Sequence, residues 1–164
     1  RKNKFLSFEF VVIVPNDNPA NISNLTDLAK PGIKILIGTK DLPAGDYALQ
    51  VLDKLANDSR YGASYKDAVM ANVVSEETTV NRIVSKVALG EVDAGFAFIS
   101  DVSPDMVGKV ARIAVPDEFN VVGEFPIGIL KQSGHPQEAQ SFMDLVMSEE
   151  GQAILNKYGF IPVR

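Results

Sequence analysis

Cysteine and tryptophan are absent from the 164-residue sequence, and histidine occurs only once, as His135. Without cysteine the chain has no disulfides, no thiolate metal ligands and no cysteine nucleophile, and the redox compartment stays open. His135 stands in a Gly-His-Pro turn, where a solvated loop residue is favoured over a catalytic base. These absences leave little for metal-centred or nucleophilic chemistry, and no catalytic constellation is recognisable.

Long apolar runs and an excess of positive charge are also missing. No apolar run approaches the roughly 20 residues that span a bilayer, and no signal peptide is visible. The chain begins with Arg1 rather than Met, so we expect a processed or truncated piece.

The sequence contains 16 Lys and Arg residues and 21 Asp and Glu residues, which gives a net charge of -5. This negative charge argues against nucleic acid or an anionic membrane as a partner. A buried ring of amides could still bind a small anion locally.

Strand and helix patterns alternate along most of the sequence. Short β-branched runs predict strands at 8–14, 33–37, 73–74, 92–99 and 110–115, and 121–131 reads as a long extended run. Apolar residues at helical spacing predict helices at 22–28 (capped by Ser23), 45–57, from Thr78 or Ser75 onward, 138–147 and 149–158, the last ending at Gly159. This alternation predicts an α/β fold with a mainly parallel sheet flanked by helices.

The most informative stretch runs from the strand at 33–37 through a tight loop into the helix at 45–57. Pro43 suits the entry to a helix, and Gly45 would let a ligand approach the backbone closely. The first amides of a helix have no intrahelical partner and carry a partial positive charge, so they can bind an anion. An ordinary strand-to-helix connection explains the same residues.

Three stretches, in this order and at this spacing, resemble the second lobe of the ModA-like family, the periplasmic molybdate-binding proteins of ABC importers. They are Pro-Ala-Gly-x-Tyr-Ala at 43–48, Glu-Thr-Thr-Val at 77–80, and Gly-Glu-x-Asp-Ala-Gly-Phe-x-Phe-x-Ser-Asp at 90–101. The sequence at 151–160 resembles that family's last helix. The resemblance covers essentially the whole chain but begins in the middle of the family's sequence.

The resemblance implies a site for a tetrahedral oxyanion. Its backbone donors would be the amides of Ala44, within Pro43-Ala44-Gly45, and of Val80, which follows Thr79. The family also supplies a tyrosine hydroxyl after the Ala-Gly strand, and Phe98 stands at that position here. Losing a donor to a desolvated dianion costs about 1.5–3 kcal/mol unless water or another residue replaces it. Two serine hydroxyls of the family's site would precede Arg1.

The same resemblance implies a type II periplasmic-binding-protein fold with two lobes. Residues 1–10 would form the first crossover strand, residues 11–120 the complete second lobe with the oxyanion-binding half, and residues 121–164 the return strand and C-terminal helices of a first lobe only partly present. An apolar face on the helices at 138–158 would then lack its sheet. We therefore expect self-association if the first lobe is missing.

The implied function is that of an extracytoplasmic solute-binding protein, not an enzyme, which captures molybdate or tungstate for ABC import. No cofactor is implied; the partners would be the oxyanion and a membrane permease that reads the closed form of the two lobes. The location would be periplasmic or otherwise extracytoplasmic, with a membrane anchor at the missing N-terminus as an option.

Three alternatives stay open at this stage. The chain could be a solute-binding protein for another anion, the effector-sensing domain of a transcription regulator with the same fold, or an enzyme on that fold. Asp46 or Glu76 could serve as oxygen ligands to the metal centre, as in six-coordinate tungstate binders. Solvated charge and capping roles are nonetheless favoured for the four acids of this region, Asp41, Asp46, Glu76 and Glu77.

Overall fold

The computed structural model describes residues 3–163. Along this part of the chain the elements are β1 (Asn3–Phe8), β2 (Phe10–Pro15), a 3₁₀ helix (Leu25–Ala29), β3 (Ile35–Gly38), α1 (Pro43–Ala56), α2 (Tyr65–Ala71), β4 (Val73–Glu77), α3 (Val80–Ala88), β5 (Ala94–Phe98), a 3₁₀ helix (Ile99–Asp101), β6 (Val110–Ala114), β7 (Gly123–Ile127), α4 (Pro136–Met147), α5 (Glu149–Lys157) and β8 (Ile161–Pro162). They form two compact units, of which the larger is Phe10–Val121.

The larger unit is built on a five-stranded sheet in the order β4-β3-β5-β2-β6. β3 pairs parallel with both β4 and β5, whereas β2 pairs antiparallel with both β5 and β6. The predicted α/β class is confirmed, but the sheet is mixed rather than mainly parallel. The alternation of strands and helices does not reveal the direction in which the first strand, β2, enters the sheet.

Both faces of this sheet are covered, which explains its continuous apolar strands. In β2, Phe10, Val12 and Val14 belong to one apolar cluster, together with buried residues of α1 and α2. Val11 and Ile13 belong to a second cluster, with buried residues of α3. Because successive strand residues point to opposite faces, a strand buried on both sides has no polar alternation. The result is a three-layer unit.

Asn120 ties the two ends of this unit together. Its Oδ1 accepts hydrogen bonds from the amides of Phe10 (3.2 Å) and Val121 (2.8 Å). Its Nδ2 donates to the carbonyls of Phe10 (2.9 Å) and Val115 (3.2 Å). Asn120 is buried, so its side-chain amide depends on these four bonds rather than on water.

The smaller unit comprises the chain up to Glu9 and from Val122 onward. Its antiparallel sheet has the order β7-β1-β8, with Phe8 opposite Gly123 and Ser7 opposite Ile161. The amide of Gln152, on α5, is buried and donates to the carbonyls of Phe5 (3.0 Å) and Val146 (2.9 Å). These bonds fasten α5 to β1 and to the end of α4.

A groove of about 400 Å³ in the smaller unit is lined mainly by apolar side chains of β1, β7, α4 and α5. Phe142 is 62% exposed, and Leu145 and Ile154 are each 52% exposed. An apolar surface of this kind is what the sequence analysis expected on these helices. Self-association through this apolar surface stays a prediction. None of the helices described is long and apolar enough to cross a membrane.

Several element boundaries differ from the sequence-based expectations. The strand predicted at 8–14 is two strands, β1 and β2, which belong to different units. The residues from Ser75 to Glu77, predicted to open a helix, extend β4 because they pair with β3. Thr79, rather than Thr78 or Ser75, therefore precedes α3. Asn24, not Ser23, caps the first 3₁₀ helix, since its side chain accepts from the amide of Thr26.

Replacing Asn120 by alanine should destabilise the larger unit by at least about 2 kcal/mol, because buried backbone groups of Phe10 and Val115 and the partly buried amide of Val121 lose their partners. Urea unfolding of the wild type and the variant measures the difference. Asn156→Ala, on an exposed position of α5, is the matched control and should change stability by less than about 0.5 kcal/mol. Equal losses in both variants would contradict the role given to Asn120.

Candidate anion-binding site

Three parallel strands of the larger unit end at the same edge of its sheet. β4 ends at Glu77, β3 at Gly38 and β5 at Phe98. The loop after β3 leads into α1, and Thr78-Thr79 leads from β4 into α3. Open α/β sheets bind ligands at the carboxyl ends of such strands. The N-termini of α1 and α3 therefore start from neighbouring strands at this edge.

The first turn of α1 leaves one donor without an acceptor. Pro43 has no N–H, and the amides of Gly45 (2.9 Å) and Asp46 (3.1 Å) both donate to the carbonyl of Leu42. Among the described residues, the amide of Ala44 has no acceptor, although this residue is 0% exposed. A buried N–H without a partner costs about 1–3 kcal/mol. Ala44 thus presents a desolvated donor at the positive end of a helix dipole.

Gly45 holds that turn against the end of β3. A Cβ at this position would stand 2.1 Å from the carbonyl oxygen of Thr39 and 2.3 Å from that of Gly38. The sequence predicts that this glycine admits a ligand. On the side where a Cβ would stand, the structure instead places the protein's own backbone. Gly45 is thereby required for the position of Ala44.

The N-terminus of α3 is open in the same way. Thr79 is extended (φ -142°, ψ 144°), and its side chain makes no capping hydrogen bond. Within residues 3–163, the amides of Val80, Asn81 and Arg82 have no acceptor outside α3. Val80 is partly buried and packs against both apolar clusters. A second set of donors with its own helix dipole is therefore available beside the first.

Glu77 connects the two helix starts. Its carbonyl oxygen accepts from the amide of Thr39 (2.9 Å), which fixes the loop before α1. Its carboxylate, on a residue 3% exposed, accepts from Ser75 Oγ (3.0 Å), Arg82 Nε (2.9 Å) and Lys86 Nζ (2.6 Å). The bond from Lys86, opposed by burial, lowers the pKa of Glu77. Glu77 is not the solvated charge that the sequence analysis expected, and its charge is balanced by two cations of α3.

Phe98 is the last residue of β5 and lies at this edge of the sheet. Its half-buried ring contacts the rings of Phe10 (centroids 5.2 Å apart) and Tyr47 (5.7 Å). Its amide donates to the carboxylate of Asp101 (3.1 Å), whose pKa is raised by burial. The side chain at position 98 adds apolar surface and no hydroxyl. Tyr47, interpreted from the sequence only as a packing residue, contacts it edge to face.

The two acids considered as metal ligands do not join this arrangement. The carboxylate of Asp46 accepts from Gln50 Nε2 (2.7 Å) one turn along α1, and Glu76 is exposed. In the described part of the chain, no group of three or more His, Asp or Glu residues is placed to hold a metal ion. Ala44, Val80 and Phe98 are brought to one edge of the sheet. Asp46 and Glu76 do not form part of a possible metal site there.

Gly45→Ala should unfold the first turn of α1 or displace it from β3, because the new methyl group would overlap two carbonyl oxygens. We expect a loss of several kcal/mol of unfolding free energy, measured in urea. Gly108→Ala is the matched control, since a Cβ there would meet nothing within 4 Å. An unchanged stability of Gly45→Ala would show that α1 does not approach β3 as described.

Glu77→Gln should lower stability at neutral pH by about 1–3 kcal/mol, because hydrogen bonds to charged groups are lost. Because folding lowers the pKa of Glu77, its ionised carboxylate stabilises the fold at pH values above the ordinary pKa of 4.5. This stabilisation is lost as the pH falls through the pKa of the folded state. The difference between wild type and variant should therefore shrink in acid, measured by urea unfolding from pH 7 to pH 3. Glu91→Gln, at an exposed acid, is the control. A difference that is constant with pH would contradict this assignment.

Comparison with known proteins agrees with this architecture. Mycobacterium tuberculosis "Molybdate-binding protein ModA" is 28% identical over 156 residues, which is 95% of this chain and 55% of that protein. The Bacillus subtilis lipoprotein YvgL is 30% identical over 153 residues, 93% of this chain and 55% of that protein. The chain thus spans about half the length of the curated relatives it matches.

Solved structures give the same fold. A substrate-binding domain from Clostridium difficile superposes with a TM-score of 0.82 at 24% identity, covering 99% of this chain and 67% of that one. The periplasmic molybdate-binding protein of Azotobacter vinelandii gives 0.75 at 20% identity, with coverages of 99% and 68%. The periplasmic-binding-protein fold expected from the sequence is confirmed. Residues 3–161 match the family "Bacterial extracellular solute-binding protein", and the chain belongs to this family of binding proteins rather than to an enzyme class.

Proposed function

We propose that the protein captures a tetrahedral oxyanion, molybdate or tungstate, for import by an ABC transporter. The observation that carries this proposal is the buried amide of Ala44, which has no acceptor within residues 3–163 and lies at the N-terminus of α1. The open N-terminus of α3, at Val80, starts from the adjacent strand. Two helix dipoles and several free amides together suit an anion. The names of the molybdate-binding relatives support the choice of ligand.

The donor set favours an anion without protons. Molybdate and tungstate are fully deprotonated at neutral pH, so their oxygens only accept hydrogen bonds. The carboxylates of Glu77, Asp46 and Asp101 already accept hydrogen bonds from the protein. A protonated phosphate would bring a hydrogen that needs an acceptor, and leaving it unpaired in a buried site is costly. Selection against sulfate would depend on the size of the cavity.

The whole protein would act as the extracytoplasmic partner of a membrane permease. We propose that the larger unit, Phe10–Val121, is the second, oxyanion-binding lobe, and that the smaller unit is the returning part of the first lobe. By the family resemblance, two serine hydroxyls of the first lobe would complete the ring of donors. Closure of the two lobes on the ion would then create the form that the permease reads. No cofactor takes part in this scheme.

Val80→Pro tests the proposal because it deletes one amide donor and keeps the helix. Proline is favoured at the first position of a helix, and Thr79 already has the extended backbone that proline requires before it. We expect the affinity for molybdate and tungstate to fall about tenfold or more, the cost of a hydrogen bond to a charged group. Calorimetric titration of the protein expressed from its complete reading frame measures this, with sulfate and phosphate as competitors.

Glu149→Pro is the matched control. It places proline at the first position of α5, again after an extended residue, Ser148, but in the smaller unit. Its oxyanion affinity should equal that of the wild type. Equal affinities in Val80→Pro and Glu149→Pro would remove Val80 from the site. Failure of the wild type to bind any of the four oxyanions would contradict the proposed function itself.

A further inference from the structure

We propose that Glu77 is a specificity-determining residue, because its buried carboxylate restrains Arg82 and Lys86 beside α3 and leaves fixed amides to select the oxyanion. This inference rests on the proposed function and deepens it, since it names a residue that sets the preference for molybdate over other oxyanions. Donors at fixed positions fit one arrangement of oxygens, whereas a mobile cation binds many different anions. The restraint on the two cations therefore bears directly on selectivity.

Glu77 stands between the sheet and α3. It is the last residue of β4, pairs with Gly38 of β3, and has a side chain that is 4% exposed. Its carboxylate accepts hydrogen bonds from Arg82 Nε (2.9 Å) and Lys86 Nζ (2.6 Å). Arg82 and Lys86 are one turn apart on α3, so they lie on the same face of the helix. A single buried carboxylate thus holds both cations on that face.

Arg82 is the cation that a loss of this restraint would bring to the anion. It belongs to the first turn of α3, where the amides of residues 80–82 have no acceptor outside the helix among the described residues. Its side chain is 62% exposed, and within residues 3–163 its Nε is the only nitrogen of the guanidinium with an acceptor. The bond from Nε to Glu77 limits where the terminal nitrogens can move. A released guanidinium would adapt its hydrogen bonds to sulfate or phosphate as well as to molybdate.

Lys86 allows the restraint to be separated from the charge. Its Nζ lies beside the carboxylate of Glu77, and it stands one turn further than Arg82 from the open amides. Removing Glu77 and Lys86 together therefore leaves the net charge unchanged and frees Arg82. Removing Glu77 and Arg82 together also leaves the net charge unchanged, but takes the guanidinium away.

The test compares these two double variants with the wild type. Glu77→Gln/Lys86→Gln frees Arg82, and Glu77→Gln/Arg82→Gln is its charge-matched counterpart. Both should fold, because replacing an acid together with a cation that it binds costs less stability than leaving one of them buried without its partner. Calorimetric titration of the protein expressed from its complete reading frame gives the affinities for molybdate and sulfate.

The ratio of the molybdate affinity to the sulfate affinity is the measured quantity. It should fall about tenfold in Glu77→Gln/Lys86→Gln, the scale of one hydrogen bond to a charged group, and should return toward the wild-type ratio in Glu77→Gln/Arg82→Gln. Glu76→Gln is the matched control, since this neighbouring acid is exposed and bonds to neither cation. Its ratio should equal that of the wild type.

The remaining outcomes overturn the inference. If the wild type prefers molybdate and both double variants keep that preference, Glu77 does not set selectivity, while the proposed function stands. An equal loss of preference in both would assign the effect to the missing carboxylate rather than to a freed Arg82. Weaker molybdate binding in Glu77→Gln/Arg82→Gln alone would make the Arg82 side chain a ligand. If the wild type binds no oxyanion, the proposed function and this inference fail together.

Discussion

The parallel pairing of β3 with β4 and β5 is the constraint on which the site depends. Because the three strands run the same way, the segments that follow them leave from one edge of the sheet. The first turn of α1 is held against β3 by Gly45, and the loop before it is bonded to the end of β4 through the carbonyl of Glu77. Together with the β3–β4 pairing, both contacts help to place side by side the two helix N-termini that the proposed chemistry needs.

At the start of α3, electrostatics relies on the helix dipole rather than on a free positive charge. The cations nearest in sequence to the start of α3, Arg82 and Lys86, are both engaged by the buried carboxylate of Glu77. This arrangement neutralises the acid, and the backbone amides at the start of α3 keep no acceptor outside that helix among the described residues. It also explains how a chain with a net charge of -5 can offer an anion site. Local amides act at hydrogen-bond range, where the overall charge has little influence.

Much of this organisation can be predicted from the sequence. The apolar strands at 33–37 and 92–99, the helix after Pro43 and the last two helices are found within a few residues of their expected bounds. Local pattern explains this success, because strand and helix periodicity and the helix-ending Gly159 act over short distances. The resemblance that began with Pro43-Ala44-Gly45 led to the family to which the chain belongs.

What the sequence could not provide depends on long-range pairing. The direction of β2, the extension of β4 through Glu77 and the burial of that glutamate all follow from which strands become neighbours. The part played by Gly45 is of the same kind, since only the folded chain places Gly38 and Thr39 against it. The contact between Tyr47 and Phe98 likewise joins residues that are far apart in the sequence.

Anomalous diffraction from a bound tungstate would locate the anion site directly. Crystals of the protein expressed from its complete reading frame, grown with sodium tungstate, would show the tungsten atom as a strong peak. We expect a peak between the N-termini of α1 and α3, with oxygens within hydrogen-bond distance of the amides of Ala44 and Val80. A well-occupied tungstate elsewhere on the chain, with these two amides bonded to protein groups, would contradict it.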